Sequence, residues 1–215
     1  MDILLLIFLA VVGGVVLLIT VKIKKGARER FIQEHRLPSL VSKAVLETYP
    51  HLTTAQIQKV LLGLKQYFQI CSQAGRQLVA MPSQVVDVAW HAYILSTRQY
   101  QQFCQNAFGR FLHHTPAEAM QDRTHAQTGI KRAWRIACAR ENINPKMPER
   151  LPLLFALDAE LGIANGFTYQ LNCQARNGDG YCASHIGCSS GCAGYSGSDS
   201  GCSGGGDGGG CGGGD

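Results

Sequence analysis

Eighteen consecutive positions, 3 to 20 (ILLLIFLAVVGGVVLLIT), carry no charge, and no face of a helix drawn through them would be polar. A helix rises about 1.5 Å per residue, so this run with Val21 and Ile23 beyond it nearly matches a hydrocarbon core of roughly 30 Å. The pattern predicts a transmembrane helix. A secretory leader would place basic residues before the apolar run and small residues after it; here Asp2 precedes it and Lys22, Lys24, Lys25, Arg28 and Arg30 follow.

From there the apolar residues fall into stripes with the three-and-four spacing of helices. Pro38 and Ser39 open a short helix carrying Leu40, Val41, Ala44, Val45 and Leu46. Thr53 and Gln56 spell a capping box for a longer one, in which Ile57, Val60, Leu61, Leu64, Phe68 and Cys71 hold one face until Gly75. Two helices follow, one from Pro82–Ser83 through Ile94 and one from Thr97 to a stop at Gly109. A long helix is expected from 116 to about 142, started by Thr115, Pro116 and Glu118, with Met120, Ile130, Ala133, Trp134 and Ala137 inside. The last carries Leu154, Phe155, Leu157 and Leu161 and ends at Gly162. Short strands at Leu78–Met81 and Phe167–Leu171 are the only departures the pattern allows.

The expected architecture is therefore all-α: a transmembrane anchor with its basic flank over 1–25, a compact helical domain over 26–172, and a tail over 173–215. In the tail glycine and serine displace the apolar residues, too little surface remains to offset the entropy of ordering, and disorder is expected. Six of the nine cysteines lie there, with His185 among them. Their spacing is irregular and contains no CxxC pair, which argues against a zinc knuckle, but Cys182, His185, Cys188 and Cys192 form a candidate set for zinc or another soft transition metal.

Charge refines this picture. Up to Asn172 there are 19 basic and 11 acidic residues, and beyond it one arginine against four aspartates. Basic residues resist translocation, so the amino terminus is expected outside and the domain in the cytoplasm, at the cell membrane or, in a bacterium, the inner membrane. Residues 3–23 would meet the bilayer and the flank its anionic headgroups. On the cytoplasmic side the tail thiols would stay reduced, favouring metal over disulfides; outside, they would pair. No aromatic-and-basic motif points to nucleic acid.

Candidate chemistry concentrates in residues 81–116. Asp87 and His91 are four apart, one turn along a helix face, so their side chains can touch. Such a pair either serves a metal or a proton transfer, or is a hydrogen-bonded couple that satisfies two polar groups in a core. Tyr100 and Cys104 fall on the apolar side of the next helix, and His113 and His114 sit at the junction after it, where ligands from separate helices converge.

The segments VDVAWHAYILSTRQY and FCQNAFGRFLHH, together with LPLLFALDAELGI at 151–163, resemble the glycine-rich domain-containing proteins of bacteria and plants over roughly residues 40–172. That resemblance implies a helical domain followed by a glycine-rich tail. The family pattern reads Trp-His-x-His; Trp90 and His91 match it, and Tyr93 stands where the second histidine would be. It carries over Asp87, His91, Tyr100, Cys104 and His113 or His114 as a candidate cluster, and no agreed activity.

Three functions fit. The first is a membrane-tethered binding or scaffold domain that docks a protein partner. The second is a metal-dependent enzyme, hydrolytic or redox, with Asp87, His91 and His113 or His114 as ligands. The third is metal storage or delivery by the tail. No nucleophile elbow, P-loop, dinucleotide fingerprint or HExxH motif occurs.

Overall fold

The apolar run and the basic flank form one uninterrupted helix, α1, Ile3–Glu34. The computed structural model describes residues 3–114, 123–171 and 181–182. The helix is long and apolar enough to cross a membrane: its most apolar window has a mean hydropathy of 2.3 and none of it is buried. Its last turns then enter the domain. Ile32 is fully buried, Phe31 rests on Phe103 at 5.8 Å between ring centroids, and Arg140 pairs with Glu29.

Six further helices follow among the described residues: α2 (Ser39–Thr48), α3 (Thr54–Ala74), α4 (Gln84–Leu95), α5 (Thr97–Phe108), α6 (Arg123–Arg140) and α7 (Leu153–Glu160). The local signals act where they stand. Thr53 and Gln56 close a reciprocal capping box at the start of α3, Ser83 Oγ accepts from the Val86 amide to cap α4, and Gly109, at φ 68°, terminates α5 in the left-handed conformation.

Helix α3 is the centre, touching α1, α2, α4, α6 and α7. Phe68 is fully buried there and packs on Phe103 at 4.8 Å, and Tyr67 packs on Trp90 at 5.0 Å. Each such aromatic contributes about 1.5–3 kcal/mol on leaving water. Gly63 lets α3 approach its neighbours closely, since a β-carbon there would stand 2.6 Å from Leu157 Cδ1 and 3.1 Å from Val86 Cγ2.

One expectation needs revision. Residues 78–81 form no strand: Tyr67 Oη donates to the Val79 carbonyl at 3.0 Å and Arg132 takes the Leu78 carbonyl, so side chains satisfy groups that a sheet partner would otherwise use. The 167–171 piece does contribute, as Tyr169–Gln170 (β1) pairs in parallel with Tyr181–Cys182 (β2), a two-residue pairing that reaches past the expected domain end at 172. The start expected at Thr115, Pro116 and Glu118, the expected core residue Met120, and the tail set of Cys182, His185, Cys188 and Cys192, apart from the backbone of Cys182, lie outside the described residues.

Candidate metal centre

The site begins with a residue the sequence pattern does not single out. Asp158, on α7 and 2% exposed, accepts from Ser83 Oγ at 2.7 Å, from the amides of Gln84 at 2.7 Å and Val85 at 3.2 Å, and from the Phe167 amide at 2.9 Å. A carboxylate at this position satisfies otherwise unpaired first-turn amides of α4 and complements the helix dipole. It fixes where α4 starts, and hence where Asp87 and His91 emerge.

Those two residues meet as their spacing implies. His91 Nδ1 lies 3.2 Å from Asp87 Oδ2 and 3.0 Å from the Asp87 carbonyl oxygen. Between them in sequence, Trp90 turns into the core and donates from Nε1 to Tyr100 Oη at 3.0 Å. Tyr100 donates in turn to the Leu112 carbonyl at 2.6 Å. Burial pushes the Tyr100 phenol well above its ordinary range, with the Cys104 thiol adding to the effect, so it remains a donor at any physiological pH.

That relay ties the strand-like exit of α5 to α4 and delivers His114. Its ring packs edge-on against Trp90 at 4.4 Å and beside His91 at 4.2 Å, and its Nε2 stands 2.8 Å from Asp87 Oδ1. One carboxylate therefore faces an imidazole with each oxygen. Potential ligand atoms of Asp87, His91 and His114 all lie within 4.8 Å of one another. The side chain of His91 is about half exposed, at 51%, while those of Asp87 and His114 are 20% and 11% exposed.

The other candidates lie elsewhere. His113 packs tilted against Phe111, ring centroids 4.9 Å apart, and is not among the three residues whose ligand atoms converge. Tyr100 and Cys104 are fully buried, and only Tyr100 bonds the Trp90 indole. Burial raises the Cys104 thiol, and pushes the Cys71 thiol up to about 12, so neither is a thiolate nucleophile. Tyr93 faces the opposite side of α4, where its hydroxyl meets His35 Nε2 at 2.7 Å, so the phenol at the second position of the Trp-His-x-His pattern is no part of the cluster.

A cleft of about 570 Å³ opens over the cluster, lined by Asp87, Trp90, His91, His113 and His114 together with Arg76 to Met81. Two histidines and a carboxylate form the ligand set of several zinc and non-haem iron centres, in which the remaining coordination positions stay open.

Over residues 27–188 the chain matches the family model UCP032817-like. The chain belongs to this family. The matched span covers every helix after α1 together with the cluster, and it runs beyond 172 through β2. The family designation names no reaction, and no curated protein and no solved structure matches the chain.

Proposed function

We propose that this UCP032817-like protein is a membrane-anchored, metal-dependent enzyme of hydrolytic type, with zinc or a similar divalent transition metal held by Asp87, His91 and His114. The convergence of those three side chains beneath an open cleft carries the reading. Three protein ligands leave coordination positions for water and substrate, and a metal of this kind lowers the pKa of bound water to about 7. Asp87 would supply the anionic ligand and the two imidazoles nitrogen donors, while Trp90 and the Tyr100 relay hold the His114 ring in place.

Helix α1 supplies the anchor in this proposal, with the basic flank on the cytoplasmic side and the amino terminus outside. The tail thiols then remain reduced, and metal delivery by the tail becomes an accessory role. The likeness of α4, α5 and α7 to the glycine-rich domain-containing proteins belongs to the same proposal, as a scaffold the two families would share.

A second reading rests on one observation: each Asp87 oxygen lies within about 3 Å of an imidazole nitrogen, as in a structural hydrogen-bonded group. The domain would then be a docking module. Metal content of the full chain, purified in detergent from the membrane fraction and measured by mass spectrometry, separates the two. One equivalent, lost together in His91→Ala and His114→Ala, supports the enzyme; a metal-free, folded wild type supports the docking module. Recovery of the intact chain without detergent would contradict the anchor.

A further inference from the structure

We infer that the cleft beside Asp87, His91 and His114 recognises a phosphoryl group, with Arg76 and Arg110 as its anion-binding side chains. Both arginines line the cleft. Arg110 is held by backbone: Nη1 donates to the Phe111 carbonyl at 3.2 Å and Nη2 to the Gly75 carbonyl at 2.6 Å. Carbonyls orient a guanidinium without neutralising it. Arg76 is exposed, and no carboxylate pairs with it among the described residues.

The only carboxylate lining the cleft among the described residues is Asp87, and both its oxygens face imidazoles. Among the described residues, the cleft thus carries two guanidinium charges that no carboxylate pairs, beside the three candidate ligands. With a divalent metal partly neutralised by Asp87, the local charge suits a dianion better than a monocarboxylate, and the planar fork of arginine matches phosphate oxygens. Tyr67, Trp90, Met81 and Leu112 provide an apolar floor for the remainder of the ligand. The inference deepens the metal reading and rests on it for the metal's share of the charge. Hydrolysis of such an ester would form a bond from water oxygen to phosphorus and break the ester P–O bond, the water proton passing to the departing oxygen.

The test is calorimetric binding of inorganic phosphate and of phenyl phosphate to the full chain in detergent, with metal content measured on the same samples. Arg76→Gln and Arg110→Gln are each expected to weaken binding roughly tenfold at unchanged metal content, as loss of a charge-assisted hydrogen bond implies. Because Arg110 also ties two loops together, Arg76→Gln is the decisive variant. Equal affinity in wild type and Arg76→Gln, or metal bound with no phosphate binding, overturns the inference and leaves the metal reading standing. Arginine-dependent phosphate binding in a metal-free protein does the reverse. Vesicles containing phosphatidic acid that displace phosphate from the cleft, where neutral vesicles do not, identify a lipid headgroup as the source. Binding that such vesicles leave unchanged identifies a soluble phosphate compound.

Discussion

His114 Nε2 stands 2.8 Å from Asp87 Oδ1, although 27 positions of chain separate the two residues. The contact joins the end of α5 to the face of α4, and the cleft opens where they meet. Asp87→Asn keeps the shape but removes the one anionic ligand of the three, so metal affinity is expected to fall at least about tenfold with little change in helicity, read by metal titration and far-UV circular dichroism.

The Trp90–Tyr100–Leu112 relay positions His114 from the core. Tyr100→Phe leaves the Trp90 Nε1–H and the Leu112 carbonyl without that partner, which should lower unfolding free energy by about 1–3 kcal/mol in urea. Metal affinity should fall with it, although Tyr100 touches no metal in the proposed centre. An unchanged affinity would show that the loop carrying His114 is held by other contacts.

Asp158 organises the start of α4 through three hydrogen bonds and accepts a fourth from the Phe167 amide. Asp158→Ala removes an acceptor from buried amides and a buried hydroxyl, and a loss of about 2 kcal/mol or more is expected in denaturant unfolding. A loss below about 0.5 kcal/mol would contradict this role.

His35 predicts a pH dependence. Burial first, and then the Lys65 charge, hold its imidazole below the ordinary value of 6.5. The unfolded chain therefore binds the proton more readily than the folded one. Stability from this group is complete above pH 6.5 and is lost as pH falls toward the lowered folded value. The unfolding midpoint should drop between pH 7 and pH 5, and His35→Gln should flatten that slope.

Much of the fold was legible in short range. The Thr53–Gln56 box, the Ser83 cap and the Gly109 stop each act within a few residues, and the Asp87–His91 pair follows from helical spacing alone. What needed the fold was long-range. His113 and His114 are equivalent in sequence, and only the Leu112 anchor decides which ring turns toward Asp87. Asp158 carries no local signal because its partners at the start of α4 lie about 75 positions away. The helix from the apolar run continues to Glu34 because its basic residues favour helix as well as solvent, which hid the docking of Phe31 and Ile32. Arg76 and Arg110 gave no motif; their meaning comes from the wall they share with the cluster.

Cobalt(II) titration of the full chain in detergent, followed by visible absorption, tests the centre most directly. One cobalt per chain, with d–d bands of mixed nitrogen and oxygen coordination that vanish in both His91→Ala and His114→Ala, is the predicted result. Bands that persist in both variants, or a folded wild type that takes up no cobalt, would contradict a metal centre at Asp87, His91 and His114.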